Sequence, residues 1–263
     1  MTRQAYLTKT RLADLRSSLT PQDQQILDLI ARFRLVSGNQ LTRLFTDGES
    51  AGLRGMQRQT RRLVEWQILD RLERRVGGVR AGSAGHIYRL GIAGRRLREI
   101  DGRPASREPG PRFVAHTLEI TELYVQLVQH QAQGELRLVR FDPEPIAWRR
   151  WNGSSGETHS LRPDGFCIIE RDRTRSFWFL EIDMATEVRS TILRKMNRYA
   201  DYLQSGTEQH RLGGVFPRVL WHAPGLPDRR EQLNQIARTA RGPDGLHVTT
   251  GLLDSVKRPP NAA

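Results

Sequence analysis

Three carboxylates stand where divalent-metal chemistry needs them: Asp164 in the run RPDGF, and Glu181 and Asp183 in FLEID. Both runs read as strands, and residues i and i+2 of a strand share a face, so Glu181 and Asp183 are expected to point the same way. Hairpin pairing of the two strands would bring Asp164 beside them. Such a cluster invites Mg²⁺ or Mn²⁺, which activates water and stabilises the charge that develops in phosphodiester cleavage. Glu119 and Glu122, on a preceding helical pattern, are candidates for a further ligand or base.

A second set of residues suits a polyanion. Between Leu53 and Gln67 the apolar residues Met56, Leu63, Val64 and Trp66 recur at helical spacing, and Arg54, Arg58, Gln59, Arg61 and Arg62 fill the polar positions. A helix that reads the major groove must carry polar and basic side chains opposite its core stripe. The hairpin expected after it adds Arg71, Arg74, Arg75, Arg80 and Arg89, placed to reach flanking phosphates or the minor groove. A solvated basic face on a protein-interaction module is the competing reading. The charge distribution favours DNA: of a net +13, residues 54–112 hold 15 Arg against 6 acidic residues, while residues 113–254 balance at 18 and 18.

The elements that must position these residues form two groups. Thr20-Pro21 places a capping hydroxyl and an N1 proline before Ile26, Leu27, Leu29, Ile30 and Phe33, which predicts a first helix. Ser37 caps a short second helix carrying Leu41, Leu44 and Phe45, and the basic helix is the third. Ile68–Arg75 and His86–Leu90 read as strands around the turn VGGVRAGSAG. Three helices and a hairpin make a winged helix-turn-helix over 18–100. The segment 101–112, with three Pro and two Gly, reads as a linker.

Residues 113–254 then follow the order α, β, β, β, β, α, β, α, β: a helix from His116 to Gln133, the strands LRLVRF, IAWRRW, RPDGFCIIER and SFWFLEIDMA, a helix from Thr186 to Gln204, the strand VLWHAP, a helix from Arg229 to Ala240, and HVTTGLLD. NGSSGETHS reads as a turn, and 255–263 as a tail. The fold class is α/β with two domains.

At its carboxylates the chain resembles the PD-(D/E)XK nuclease superfamily, with an Asp, then Glu-x-Lys on the neighbouring strand. The resemblance carries Asp164 and Glu181 over as metal ligands and implies a restriction-endonuclease-like sheet domain. Asp183 departs from the pattern, standing where the superfamily has its lysine. Lys195, or Arg189, on the next helix is the candidate to supply that catalytic cation; solvated helix surface is the competing role for both. The whole arrangement is similar to the replication-relaxation family of plasmids and integrative elements. The matching runs are LTPQDQQILDLIARFRLVSGNQLTRLF, HIYRLGIAGRRL, HTLEITELYVQL, LRPDGF, FLEIDMATE and KMNRYADYL, covering about 18–225. That resemblance implies a DNA-binding protein of replication or mobilisation, with a weak or inactive nuclease-like domain. An active Mg²⁺-dependent endonuclease is the rival, and a winged-helix transcription regulator with a sensing or dimerisation domain the third reading.

Other chemistries find little support. Cys167 is the only cysteine, so an intramolecular disulfide is excluded, and the sequence has neither a paired-histidine metal site beside a nucleophilic Tyr nor a Gly-rich Lys-Ser/Thr phosphate loop. Tyr199 is expected in part in the core and Tyr202 in part exposed; Trp148, Trp151, Trp178 and Trp221 are expected as core or sheet-covering aromatics. No apolar run approaches the ~18 residues of a membrane span, and the N-terminus has no secretory leader pattern. A cytoplasmic protein is expected, with double-stranded DNA and replication or mobilisation proteins as partners, no membrane, and a homodimer as a candidate assembly.

Overall fold

The computed structural model describes residues 7–46, 50–72, 85–100, 108–153, 155–239 and 248–249. The chain is a mixed α/β protein that divides into two compact units, Met1–Gln126 and Leu127–Ala263.

In the first unit α1 (Lys9–Ser18) precedes α2 (Pro21–Phe33). Thr20 starts α2 as its sequence demands: its hydroxyl accepts from Asp23 N, and the Asp23 carboxylate accepts from Thr20 N, which satisfies two otherwise orphan donors. Ile26, Leu27, Ile30 and Phe33 are buried along the inner stripe. After β1 (Val36–Ser37), Ser37 and Gln40 repeat this reciprocal cap on α3 (Gly38–Phe45). Next come α4 (Ser50–Glu65), β2 (Leu69–Arg71), β3 (Ile87–Leu90) and α5 (Ile92–Leu97).

β3 lies between β1 and β2, antiparallel to both. Short β1 therefore joins the expected hairpin as a third strand. Where α5 passes the start of β2, Gly94 is required: a Cβ there would clash with the Ile68 carbonyl oxygen. α1, β1 and α5 were not expected, because each is short or weakly patterned. Most of the turn between β2 and β3, with Arg74, Arg75 and Arg80, lies outside the described residues.

α6 (Pro111–Ala132) begins two residues inside the segment read as a linker, and the division between the units falls within it. Its Val114 packs in a small core with Leu35, Leu72 and Ile87 of the first unit, against which Leu118 also lies.

The second unit continues with β4 (Arg137–Pro143), β5 (Arg149–Asn152), β6 (Thr158–Leu161), β7 (Gly165–Arg171), β8 (Thr174–Ile182), α7 (Arg189–Gln204), α8 (Thr207–Arg211), β9 (Arg218–His222), α9 (Pro227–Thr239) and β10 (Val248–Thr249). Five strands form one sheet in the order β10-β9-β8-β7-β4, parallel from β8 to β10 and antiparallel from β4 to β8. β5 and β6 pair separately as a ribbon. β6 lies partly in the run read as a turn: its polar residues carry little strand signal, and pairing with β5 decides its conformation.

Central β8 carries a run buried on both faces, from Trp178 to Ile182, as expected of a strand covered on each side. α7 lays Ile192, Met196, Tyr199 and Tyr202 into a core with Phe166, Phe179, Val219 and Trp221. Burying an apolar side chain of this size contributes roughly 1.5–3 kcal/mol, so this helix face does much to hold the unit together. Tyr202, expected to be partly exposed, is buried and donates to Glu208.

Candidate functional site

The basic helix α4 is built around a buried carboxylate. Met56, Thr60 and Leu63, at i, i+4 and i+7, are buried. Arg54, Arg58 and Arg61 have the same spacing displaced by two residues, about 200° around the helix, and all three are exposed. Arg61 pairs with exposed Glu65 at 3.1 Å; Arg54 and Arg58 have no ion-pair partner among the described residues.

Gln59 and Arg62 lie to one side of that row and are committed within the protein. The Gln59 amide donates to Asp23 at 2.8 Å, and the Arg62 guanidinium reaches both Asp23 oxygens at 2.8 and 2.6 Å. Asp23 is fully buried. Burial alone would raise its pKa, but donors from Gln59 and Thr20 and the Arg62 charge hold the carboxyl below the ordinary aspartate range. Gln59 and Arg62 were expected to face DNA with the others; the structure gives both a positioning role, fastening α4 to the start of α2. Arg89, expected on the wing, stands opposite Asp70 in the β2–β3 register and pairs with it at 2.7 Å. Glu122 is held by Arg43 at 2.7 Å and by Gln40, so it is engaged as a structural partner in the first unit.

In the second unit β7 and β8 bring Asp164 and Glu181 together. Asp164 accepts from Ile182 N at 2.7 Å. Buried Glu181 accepts from Lys195 Nζ at 2.8 Å and from the Tyr199 hydroxyl at 2.6 Å. Burial, and then the charge of Asp164, push the Glu181 pKa up to about 7 against the opposing effects of Lys195 and Tyr199. Burial disfavours the Lys195 charge, but the Glu181 and Asp164 carboxylates outweigh it and raise that pKa. Lys195 also pairs with Glu187 at 2.9 Å. It is thus a half-buried partner of the acidic centre, and the competing reading of it as solvated helix surface is corrected.

Asp183 takes a different course. One oxygen accepts from Ala185 N at 2.6 Å; the other takes Arg229 Nε and an Arg229 terminal nitrogen at 3.1 and 2.9 Å. Glu181 is therefore held from α7 and Asp183 from α9. Asp164, Glu181 and Asp183 do not each bring an oxygen within 4.8 Å of the other two. Asp164 and Glu181 repel each other, a repulsion that a bound cation would relieve, whereas Asp183 is already paired with Arg229. Arg229 is the residue that the sequence reading missed, and nothing in its local sequence marks it among the arginines of α9.

Arg149 is a second missed feature. It is buried, bonds Glu208 at 3.0 Å and the Ala147 carbonyl at 2.6 Å, and lies 4.9 Å from the Phe166 ring centroid. It ties β5 to α8 and serves the core.

Replacing Asp23 with Ala leaves Gln59, Arg62 and the α2 cap without their acceptor. The expected loss is about 2–3 kcal/mol, measured by denaturant unfolding. Because the folded pKa of Asp23 is depressed, its contribution is present above pH ~4 and disappears as pH falls through the folded value. Asp23→Ala should therefore also flatten the acid limb of the stability curve. Wild-type stability and an unchanged acid limb in the variant would contradict this role.

Searches of curated proteins and of solved structures gave no match. A family model described as replication-relaxation matches residues 27–219, a span that runs from within α2 to β9 and takes in α4, Asp164, Glu181, Asp183 and Lys195 but neither Asp23 nor Arg229. The chain belongs to the replication-relaxation family.

Proposed function

We propose that this is a DNA-binding protein acting in the replication or mobilisation of a plasmid or other mobile element, with α4 of a winged-helix first unit as its main contact. The observation that carries the reading is the row Arg54, Arg58 and Arg61, exposed on the face of α4 opposite its buried stripe while Asp23 holds the helix from the side. A guanidinium offers the fork that guanine edges and phosphates accept, so one helix face supplies both reading and positioning contacts. The helix order and the antiparallel β2–β3 pair support the winged-helix assignment. Double-stranded DNA is the proposed partner, with replication or mobilisation proteins and a second copy of the chain as further ones. Among the described residues no helix is long and apolar enough to cross a membrane.

Replacing Arg54, Arg58 and Arg61 together with Ala should weaken duplex binding by ~1–3 kcal/mol for each residue that makes a bidentate base contact, and by less for a phosphate contact. Fluorescence anisotropy at several salt concentrations measures this. Unchanged affinity would remove α4 from the interface. Arg62→Ala should instead lower stability, with DNA affinity per folded molecule largely kept.

The proposed state of the second unit is a nuclease-like domain of weak or absent activity. Asp164 and Glu181 would hold Mg²⁺ or Mn²⁺, which supplies an activated water and charge stabilisation for phosphodiester cleavage. Lys195 supports the rival reading of an active endonuclease, since it places a cation on Glu181, though Glu187 shares that charge. Protons compete with metal at Glu181. Mn²⁺ affinity in calorimetry should therefore be weak and fall by up to about tenfold per pH unit below 7, where the carboxyl is protonated. Asp164→Ala with Glu181→Ala should abolish the heat. Robust Mg²⁺-dependent nicking that is lost in Glu181→Ala would establish the rival.

A further inference from the structure

The β5–β6 ribbon has two unlike faces. Its register pairs Arg149 with Leu161 and Trp151 with His159 on the inner side, where Arg149, Trp151 and Leu161 are buried. The alternate residues form the outer side: Arg150 opposite Ser160 and Asn152 opposite Thr158. Continued one step past the pairing, the same alternation places Trp148 by Arg162, and the Arg162 guanidinium lies 4.9 Å from the Trp148 ring centroid. Exposed Arg198 of α7 donates to the Ser160 carbonyl at 3.1 Å, which puts a further guanidinium at the β6 main chain, beside the Arg150–Ser160 pair.

Trp148 departs from the expectation for the tryptophans. It is 38% exposed, whereas Trp151, Trp178 and Trp221 are buried. Arg150, Arg162 and Arg198 are all exposed, and none has a carboxylate partner among the described residues. The nearby acid Glu157, at the ribbon turn, is engaged by His159 at 3.0 Å. Residues 113–254 are charge-balanced overall, so three guanidiniums without carboxylate partners among the described residues, on and beside a ribbon that carries an exposed indole, are a local concentration. The polypeptide leaves this surface through Arg162 and Pro163 directly into Asp164.

We infer that the outer face of the β5–β6 ribbon binds single-stranded DNA, stacking an unpaired base on Trp148 and receiving the adjoining phosphates on Arg150, Arg162 and Arg198. An aromatic face interleaved with arginines binds unpaired nucleotides whatever their sequence, because every base has a π-face and every nucleotide a phosphate. A duplex keeps its bases stacked inside and offers none to Trp148. The inference rests on the reading that the chain acts on DNA and adds a contact separate from α4. It also gives the step from Arg162 to Asp164 a use, since a strand held on the ribbon is delivered beside the acidic centre.

The test is anisotropy with the full chain, an oligothymidylate and a duplex of mixed sequence. Trp148→Ala should weaken oligothymidylate binding at least about fivefold and leave duplex binding within about twofold, while Trp148→Phe keeps most of the affinity. Arg150→Ala and Arg198→Ala should each lower the salt slope for the single strand by roughly 0.7. These side chains are exposed, and unchanged unfolding midpoints verify the fold. Single-strand affinity that is unchanged in Trp148→Ala/Arg150→Ala overturns the inference, as does an equal loss for both DNAs in Trp148→Ala. If duplex binds through α4 and oligothymidylate does not bind, the ribbon inference alone falls; if neither DNA binds, the DNA-binding reading falls with it.

Discussion

A single buried carboxylate sets the geometry of the first unit. Asp23 has no access to water, and an uncompensated charge there would cost several kcal/mol, so donors must converge on it. They come from two directions: the Thr20 hydroxyl and backbone at the start of α2, and Gln59 and Arg62 on α4. Rotating α4 by one residue, about 100°, would withdraw those donors and bring an arginine toward the core. The constraint therefore fixes which arginines are exposed. The residues most basic in the sequence divide into those that hold the helix and those that it presents.

The second unit handles its buried charges similarly, with a different consequence. Each carboxylate has its own donors: Glu181 has Lys195 and Tyr199, Asp183 has Arg229 and Ala185 N, and Glu208 has Arg149 and Tyr202. Donors of this kind stabilise the apo fold and compete with any cation for the same oxygens. At Glu181 the repulsion from Asp164 adds to the effect of burial, and together they outweigh these donors and push its pKa up to about 7. Asp183, which stands where the nuclease pattern has its lysine, is held in an ion pair with Arg229.

Much of this was legible in the sequence where local rules dominate. Thr20-Pro21 and Ser37 announced their helices through capping chemistry, and the apolar run of β8 announced a strand. β6 and α8 were not legible, since polar β6 depends on its partner and five-residue α8 on the Glu208 network. The separation of Arg58 from Arg62 was equally hidden. Both fit a polar helical position, and only the fold shows that Asp23, 39 residues before Arg62, lies within reach of one of them. Lys195 and Arg229 followed the same logic, because the acceptor that gives each its role is distant in sequence.

On the proposed reading, the Arg54–Arg58–Arg61 face of α4 lies on DNA. Gln57 is exposed within that row, so a photo-crosslinking amino acid placed there samples the interface without removing an arginine. Irradiation of the full chain on duplex DNA should give a cross-link mapping to position 57, lost when salt releases the complex. A complex that forms with full affinity yet yields no cross-link from position 57 would contradict the account.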